Sequence, residues 1–323
     1  MKRCVITGAG GFIGNALVTD LVRQGNWVKG VDVKYPEYST SSADEFITSD
    51  LRDKENCLEV TKDNIDEVYN LSAHMGGIGF IYKYHADIMH NNALIDLNML
   101  EASRINRVNK FLFSSSACIY PLHLQTETNI RPLKENDAYP AQPEDAYGTE
   151  KLFMEELCKH YRENYNIDTK VVRFHNIYGP LGTWTGGKEK SPAALCRKVA
   201  MAKLKKESEI EIWGDGEQTR SFCYIDDCVK GLQLIMNSEH HGPFNLGRDD
   251  MISINDLAKL IMKIADYQCE IKHVKGTQGV RGRNSDNLLF KSTFGWEPQI
   301  SLENGLTKLY NWIDSEVKHY EES

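Results

Sequence analysis

The sequence predicts an α/β fold built on a doubly wound parallel sheet. Short apolar segments alternate with helical segments as far as residue 174, which is the pattern of repeated strand–helix–strand units. The first apolar segment runs directly into a glycine-rich turn. With 323 residues, of which 41% are hydrophobic, the chain is long enough to bury a large core without disulfides or metal ions.

The N-terminal part contains six predicted strands and four predicted helices. Because parallel strands covered on both faces are almost continuously apolar, short apolar runs predict strands of this sheet. The predicted strands are 3–7, 27–33, 45–47, 68–71, 111–114 and 170–174. The helical periodicity predicts helices at 12–23, 53–61, 85–106 and 146–165.

The rhythm becomes less regular after residue 178. A stretch rich in Gly, Thr, Trp and Lys, residues 179–191, predicts a long functional loop. Helices are predicted at 192–205, 226–237, 254–264 and 301–318, with a strand at 210–213. We therefore expect a dinucleotide-type domain over 1–177, with returning segments from about 220–247, and a smaller interleaved C-terminal substrate domain over 178–323.

Composition excludes several classes of partner. A net charge of −8 disfavours general binding to nucleic acid, because an acidic surface repels phosphates. No run approaches the ~18 apolar residues of a membrane span, and the N-terminus lacks the pattern of a signal peptide, so we expect no membrane association. The eight cysteines have no metal-ligand spacing, which predicts reduced thiols, a cytoplasmic location and no metal site.

The turn after the first strand reads T-G-A-G-G-F-I-G. It places Gly8, Gly11 and Gly14 at the spacing of a dinucleotide-binding turn, and Phe12 and Ile13 open the helix that follows. Glycines let the backbone approach a pyrophosphate, which then lies at the N-terminus of the helix. This context indicates a Rossmann-type cofactor site, and the alternative is a tight strand–helix turn without a ligand.

Acidic residues after the next two strands suit the rest of such a cofactor. Asp32 ends the second strand, where a carboxylate binds ribose hydroxyls and repels a 2′-phosphate, which favours NAD over NADP in spite of the nearby Lys34. Asp50 and Leu51 follow the third strand and could meet the adenine edge. The alternative for Asp50 is a helix cap.

Tyr147 and Lys151 form a Y-x-x-x-K pair on one face of a predicted helix. An ammonium beside a phenol favours the phenolate, so we expect Lys151 to lower the pKa of Tyr147. Such a tyrosine takes a hydroxyl proton while the same carbon gives a hydride to NAD. Ser116, at the end of a predicted strand, would orient the substrate hydroxyl. The alternative is a surface pair that arises by chance.

These motifs together resemble the extended short-chain dehydrogenases/reductases that act on nucleotide sugars. The resemblance covers nearly the whole chain and is carried by T-G-A-G-G-F-I-G, S-S-S-A-C-I-Y-P, Y-G-T-E-K, R-F-H-N-I-Y-G-P and W-G-D-G-E-Q-T-R-S-F. The strings M-G-G-I-G-F-I, G-T-W-T-G-G-K-E-K-S-P and G-V-R-G-R-N-S-D-N are similar to members that epimerise GDP-sugars. The resemblance implies bound NAD and a homodimer formed through helices 84–106 and 145–165.

Two positions separate the reactions of that family. Its dehydratases carry an Asp–Glu pair where this chain has Ala117 and Cys118, which argues against dehydration. Cys118 and Lys190 are similar to the acid/base pair of the family's GDP-sugar epimerases. The alternatives are a small core cysteine and a solvated loop lysine, and Lys188 competes with Lys190 for the role.

The resemblance also implies a set of substrate contacts. Arg and Lys side chains would bind the diphosphate, and two glycines would let the backbone approach the sugar. The alternative for each arginine is a surface salt bridge. The implied substrate residues are Gly76, Gly77, Ser116, Asn176, Lys190, Lys198, Gln218, Arg281 and Arg283.

The predicted function is therefore NAD-dependent epimerisation of a GDP-sugar. Departures from the family pattern lie near the sugar-facing loops, at His74, Tyr139 and Thr185. An epimerase of a different GDP-sugar, such as a deoxy-sugar or a heptose, is the first alternative. A non-enzymatic NAD-binding protein of the same fold is the second, but such a protein should have lost Tyr147 or Lys151.

Overall fold

A computed structural model of the chain describes residues 1–322. Its ten helices are α1 Phe12–Arg23, α2 Lys54–Val60, α3 Ile78–Lys83, α4 His85–Ile105, α5 Ala146–Tyr165, α6 Ser191–Lys205, α7 Ile225–Met236, α8 Ile254–Ala265, α9 Leu288–Phe294 and α10 Leu302–Glu322. Short 3₁₀ turns lie at Ala117–Ile119, Leu122–Leu124 and Glu135–Ala138.

Fourteen strands occur in the described residues. They are β1 Arg3–Thr7, β2 Trp27–Asp32, β3 Glu45–Thr48, β4 Glu67–Asn70, β5 Lys110–Ser116, β6 Asp168–Phe174, β7 Ile177–Tyr178, β8 Glu209–Trp213, β9 Thr219–Arg220, β10 Cys223–Tyr224, β11 Phe244–Leu246, β12 Ile252–Ser253, β13 Glu270–Val274 and β14 Gly282–Arg283.

Seven strands form one parallel sheet in the order β11-β6-β5-β4-β1-β2-β3. This arrangement confirms the predicted doubly wound α/β fold. Since every strand runs the same way, all carboxyl ends lie at one edge of the sheet. The glycine-rich turn after β1, Asp32, Asn70 and Ser116 therefore meet at that edge.

The two faces of the sheet are covered by different helices. One core cluster contains Leu17 and Val18 of α1 and Leu232 of α7, while the opposite cluster contains Met99 of α4 and Met154 of α5. All of these side chains are inaccessible to solvent. Burial on both faces explains why the strands lack the alternation of exposed sheets.

Smaller elements after β7 form the C-terminal part. This part contains a parallel pair, β8–β13, and a three-stranded sheet in the order β12-β9-β14. Helix α6 packs against α8 and α10, with Val199, Leu257 and Leu309 buried in the same core cluster. Strand β11 returns to pair with β6 in the main sheet.

Most predicted elements lie where they were expected. Helices α1 and α5 begin and end at the predicted residues, and α5 begins after Asp145, whose carboxylate accepts a hydrogen bond from the Gly148 N–H at 2.8 Å. The short helices α3 and α9 and strands β7 and β9 to β14 were not predicted. The cap of α2 is Asp53, which accepts from the Glu55 N–H at 2.9 Å, so the capping alternative for Asp50 was wrong.

All eight cysteines are free thiols. Among residues 1–322, no helix combines the length and apolar character needed to cross a membrane. Asp226 and Asp227 lie in the first turn of α7, which corresponds to the helix predicted at 226–237. Asp227 accepts a hydrogen bond from the Ile300 N–H at 2.8 Å, which ties α7 to the segment before α10.

A buried ion pair joins α5 to the sheet. Arg173 of β6 donates to both carboxylate oxygens of Glu155, at 3.0 and 2.7 Å, and both side chains are almost fully buried. Ser115 also donates to Glu155. A bidentate pair with these further bonds offsets the cost of removing both charges from water.

Replacing Glu155 with Gln should strongly destabilise the fold, because it leaves the Arg173 guanidinium buried without a counter-charge. We expect a loss of roughly 3–5 kcal/mol in the free energy of unfolding, measured by urea denaturation. The control is Glu209→Gln, which breaks a half-exposed pair with Lys272 (2.9 Å) and should cost at most about 1 kcal/mol. Equal effects of the two substitutions would contradict this account.

Candidate active site

A cavity of about 950 Å³ opens at the carboxyl edge of the main sheet. Its walls come from the glycine-rich turn, the ends of β5 and β6, α3, the loop before α6, and the C-terminal part. Fifteen of the predicted site residues line it: Gly8, Gly11, Phe12, Ile13, Gly14, Gly76, Gly77, Ser116, Cys118, Tyr147, Asn176, Lys190, Lys198, Gln218 and Arg283. A volume of this size is at the upper end for small-molecule sites.

The glycine-rich turn leaves no room for side chains. Gly8 has a φ of +70°, a conformation that L-residues with side chains rarely adopt. A Cβ atom on Gly14 would overlap the Gly8 carbonyl oxygen. The turn therefore keeps its backbone open to the cavity at the start of α1, and these residues fit a dinucleotide pyrophosphate.

Asp32 lies beside this turn. Its carboxylate accepts hydrogen bonds from the N–H groups of Gly10 at 3.0 Å and Val33 at 2.7 Å, and burial raises its pKa. The Lys34 ammonium pairs with Glu37 at 3.1 Å. The carboxylate thus stands at the position that binds ribose hydroxyls in this architecture, although it does not form part of the cavity wall.

Asp50 and Leu51 also lie outside the cavity wall. The Asp50 carboxylate pairs with Arg52 at 2.6 Å, which lowers the pKa of Asp50, and Leu51 is buried in the core. A contact of either residue with an adenine ring stays a prediction.

Tyr147 is a buried wall residue on the first turn of α5. Burial raises the pKa of its phenol, and this effect outweighs the Lys151 charge and the Ser116 hydroxyl, both of which favour the phenolate. The expected net lowering of the Tyr147 pKa by Lys151 was therefore wrong for this structure. Its direction was right for the pair alone, but the spacing of the motif contains no information about desolvation.

Lys151 lies behind the cavity wall and is fully buried. Its ammonium is 3.0 Å from the Asp96 carboxylate, 3.9 Å from that of Glu150 and 5.8 Å from the centre of the Tyr147 ring. Asp96 also accepts from the Asn70 amide at 2.6 Å. The ammonium thus faces Tyr147 while Asp96 balances its charge.

Asp96 and Glu150 were missed by the sequence analysis. Burial and the Asp96 charge raise the pKa of Glu150, so Glu150 favours its neutral form and Asp96 is the charged partner of Lys151. The available signal was Asp96 itself, an acid inside the mostly apolar helical segment A-L-I-D-L-N-M-L. A buried acid in such a segment needs a cation nearby.

Cys118 is half-buried in the 3₁₀ turn that follows β5. Its N–H donates to the Ser116 hydroxyl at 3.1 Å, and its Sγ accepts from Arg283 Nη1 at 3.3 Å. The chain therefore brings a guanidinium directly to this thiol. Arg283 was predicted to bind a diphosphate, but its observed partners are Cys118, Gln125 and Glu144.

Lys190 extends from the long loop into the same cavity as Cys118. The Lys190 residue as a whole is exposed, although protein atoms densely surround its ammonium group. Burial lowers the pKa of Lys190, and the Cys118 thiol acts in the opposite direction. Lys188 also lines the cavity, but its ammonium lies 4.7 Å from the centre of the Phe80 ring.

The predicted anion-binding residues are only partly brought together. Lys198 lines the cavity and donates to the Glu211 carbonyl at 2.5 Å. Arg281 does not line it, because its guanidinium pairs with Asp215 at 2.9 Å, so the salt-bridge alternative is observed at this position. Arg220 lines the cavity instead, and burial lowers its pKa to about 9.

Arg220 was not selected as a candidate from the sequence, although it lies in the quoted string W-G-D-G-E-Q-T-R-S-F. Gln218 of the same string has a buried Oε1 without a hydrogen-bond partner in the described residues. The Asn176 amide donates to the Ser221 carbonyl at 2.9 Å. Residues 1–322 contain no cluster of His, Cys, Asp or Glu able to hold a metal ion.

Comparisons with known proteins agree with this geometry. Residues 4–247 match the model of the NAD dependent epimerase/dehydratase family. The chain is 50% identical over 318 residues to GDP-mannose 3,5-epimerase 1 of Oryza sativa subsp. indica, covering 98% of this chain and 82% of the relative. It is 49% identical over 315 residues to GDP-mannose 3,5-epimerase of Arabidopsis thaliana, with coverage of 97% and 82%.

Solved structures show the same architecture. The crystal structure of UDP-glucose 4-epimerase with UDP-glucose, from Thermotoga maritima, superposes with a TM-score of 0.86. The two sequences are 26% identical, and the match covers 98% of this chain and 99% of that one. The likeness therefore extends over both the main sheet and the C-terminal part.

Gly14→Ala should weaken NAD binding, because the added methyl group meets the Gly8 carbonyl and forces the turn to move. An overpacking cost of about 1.4–3 kcal/mol corresponds to roughly 10- to 150-fold in affinity, measurable by calorimetry. The control is Gly79→Ala, where the added atom meets only the Trp213 ring, at 3.8 Å. Unchanged affinity in Gly14→Ala would refute the assignment of this turn.

Proposed function

The chain belongs to the NAD dependent epimerase/dehydratase family, and we propose that it converts GDP-D-mannose into GDP-L-galactose and GDP-L-gulose. The observation that carries this proposal is the presence of Cys118 and Lys190 in the cavity that Tyr147 and Ser116 also line. The first two supply a proton donor and acceptor beside the sugar. The second two suit reversible oxidation of a hydroxyl.

The glycine-rich turn and Asp32 would hold NAD, which would supply reversible hydride transfer at carbon 4 of the hexose. The sugar would then pass through a 4-ketone without net oxidation. Tyr147 takes the proton of the 4-hydroxyl group and later gives it back. Ser116 holds that hydroxyl group in line with the phenol. Lys151 favours the phenolate, which offsets part of the effect of burial on Tyr147.

Cys118 and Lys190 invert carbons 5 and 3. A neighbouring ketone stabilises the carbanion formed at either carbon as an enolate, so that a thiol or an amine can remove the proton. Inversion needs one group to take a proton from one face of the ring and the other to return a proton to the opposite face. Burial lowers the pKa of Lys190 and so increases its fraction of neutral amine, the form that accepts a proton.

Epimerisation fits this cavity better than dehydration. Dehydration of a 4-keto sugar needs an acid and a base that together expel water, and the positions after Ser116 are Ala117 and Cys118. Arg220 and Lys198 are the wall cations that we assign to the diphosphate, and Gln218 and Asn176 are polar wall residues for the sugar or nucleotide. Gly76 and Gly77 bring backbone to the sugar end.

We also propose that the chain works as a homodimer in the cytoplasm. Met89 of α4 and Phe153 of α5 are exposed on neighbouring helices, and a second copy would cover them. The eight free thiols suit a reducing compartment. Light scattering that gives the mass of a monomer would refute the dimer, and recovery from a membrane or secreted fraction would refute the location.

Incubation with GDP-mannose in deuterated water, followed by proton NMR, tests the function. We expect deuterium at carbons 3 and 5 and new signals from both products. Cys118→Ser and Lys190→Ala should each reduce this exchange by roughly 100-fold or more, in keeping with the loss of a general acid or base. Lys188→Ala is the matched control, and it should retain most of the exchange.

Each other outcome has a definite meaning. If exchange occurs only with a deoxy-GDP-sugar or a GDP-heptose, the proposed substrate is wrong but the proposed type of reaction is right. An absence of exchange with every GDP-sugar, in protein that contains NAD, would refute the enzymatic proposal. Exchange that depends on Lys188 rather than Lys190 would move the acid/base role by two residues.

A further inference from the structure

A chain of polar contacts leads from α3 to the Cys118 thiol. The Tyr82 hydroxyl donates to the Glu144 carboxylate at 2.6 Å, and that carboxylate lies 3.6 Å from Arg283 Nη2. Arg283 Nη1 donates to Cys118 Sγ at 3.3 Å. The Glu144 and Arg283 side chains are both about nine-tenths buried, so water screens this contact weakly.

Arg283 is held in place from a second direction. Its Nε donates to the Gln125 Oε1 at 2.6 Å. Within residues 1–322, Nη2 makes no hydrogen bond and has only the longer ionic contact with Glu144. The guanidinium therefore lies between two groups that compete for its charge, a carboxylate on one side and a thiol on the other.

We propose that Glu144, held by Tyr82, is a positioning residue that shares the Arg283 charge with Cys118 and so sets how readily the thiol releases its proton. A guanidinium beside sulfur favours the thiolate, and a carboxylate beside the guanidinium reduces that effect. The Glu144 charge thereby balances the two tasks of an acid/base group, which must both give and take a proton. The inference rests on the proposed function for the role of Cys118.

Other titratable groups also face this thiol. Tyr147 of α5, Lys190 of the long loop and Arg220 of β9 each interact electrostatically with Cys118. None of them changes in the variants described below. Glu144→Gln also changes the total charge of the cavity wall by one unit, whereas Tyr82→Phe changes no charge. Opposite effects of these two variants therefore report the Glu144–Arg283 contact rather than the total charge of the cavity.

The contact also connects the thiol to the sugar end of the cavity. Tyr82 lies on α3, which begins immediately after Gly77, and the Gly77 N–H donates to the Lys188 carbonyl at 3.0 Å. Burial and the Glu144 charge raise the pKa of Tyr82, so its hydroxyl keeps its proton and stays a donor. The segment that approaches the sugar is thus tied to the residue that tunes Cys118.

The test is the rate at which iodoacetamide alkylates Cys118, followed by mass spectrometry of the Cys118 peptide over a range of pH in protein without substrate. Glu144→Gln removes the competing charge and should speed alkylation roughly fivefold at pH 7, because only the thiolate reacts. Tyr82→Phe frees the Glu144 carboxylate to attract Arg283 more strongly and should slow alkylation. Arg283→Gln should slow it further.

The matched control uses a second tyrosine–glutamate pair. Tyr139 donates to Glu156 at 2.7 Å on the surface and away from the cavity, so Glu156→Gln and Tyr139→Phe should leave the Cys118 rate unchanged. At high pH every thiol is ionised. The rate of Cys118 alkylation in Glu144→Gln should there equal the rate in the protein without substitutions. A mere opening of the cavity would raise the rate equally at all pH values.

The proposal is overturned if Glu144→Gln leaves the rate unchanged or raises it equally at all pH values. If Glu144→Gln does not fold, Tyr82→Phe decides, and a rate equal to that of the unmodified protein then overturns the proposal. Because alkylation uses no sugar, the result is independent of the substrate. If Glu144→Gln changes the rate of Cys118 alkylation but the protein epimerises no GDP-sugar, the proposed function is refuted. The inference that Glu144 acts on Cys118 through Arg283 then still holds.

Discussion

The buried ion pair between Lys151 and Asp96 is the interaction on which the rest of the site depends. Neither side chain is accessible to solvent, so each charge requires the other. Asp96 also accepts from Asn70, and Asn70 accepts from Thr7, the residue before the glycine-rich turn. One continuous set of bonds therefore joins helices α4 and α5 to the end of β1. It fixes the Tyr147 face of α5 relative to the cofactor turn.

The parallel sheet supplies the second constraint. Because all seven strands end at one edge, the residues after β1, β5 and β6 meet there although they are far apart in the chain. The C-terminal part closes this edge from the other side and brings Arg283 on β14 to Cys118. A thiol that follows a buried strand thus gains a cationic neighbour. The cavity combines groups suited to oxidation with groups suited to proton transfer.

The sequence predicted what depends on local pattern. The α1 and α5 boundaries and the glycine-rich turn follow from periodicity and turn chemistry. Helices α3 and α9 have six and seven residues, too few for a clear period. Arginine partners come from distant segments, so spacing could not distinguish Arg281, paired with Asp215, from Arg220, which faces the cavity. The burial of a side chain could not be predicted from motif spacing either, so the Tyr147 pKa shift was predicted with the wrong sign.

The central claim is that a hydride leaves and returns to carbon 4 while carbons 3 and 5 exchange protons with solvent. The direct test uses GDP-mannose that carries deuterium at carbon 4. It is mixed with an equal amount of unlabelled GDP-mannose and incubated in ordinary water. The account predicts products that keep the deuterium at carbon 4 of the same molecule, while products formed in deuterated water gain label only at carbons 3 and 5. Loss of the carbon 4 label to solvent would contradict it.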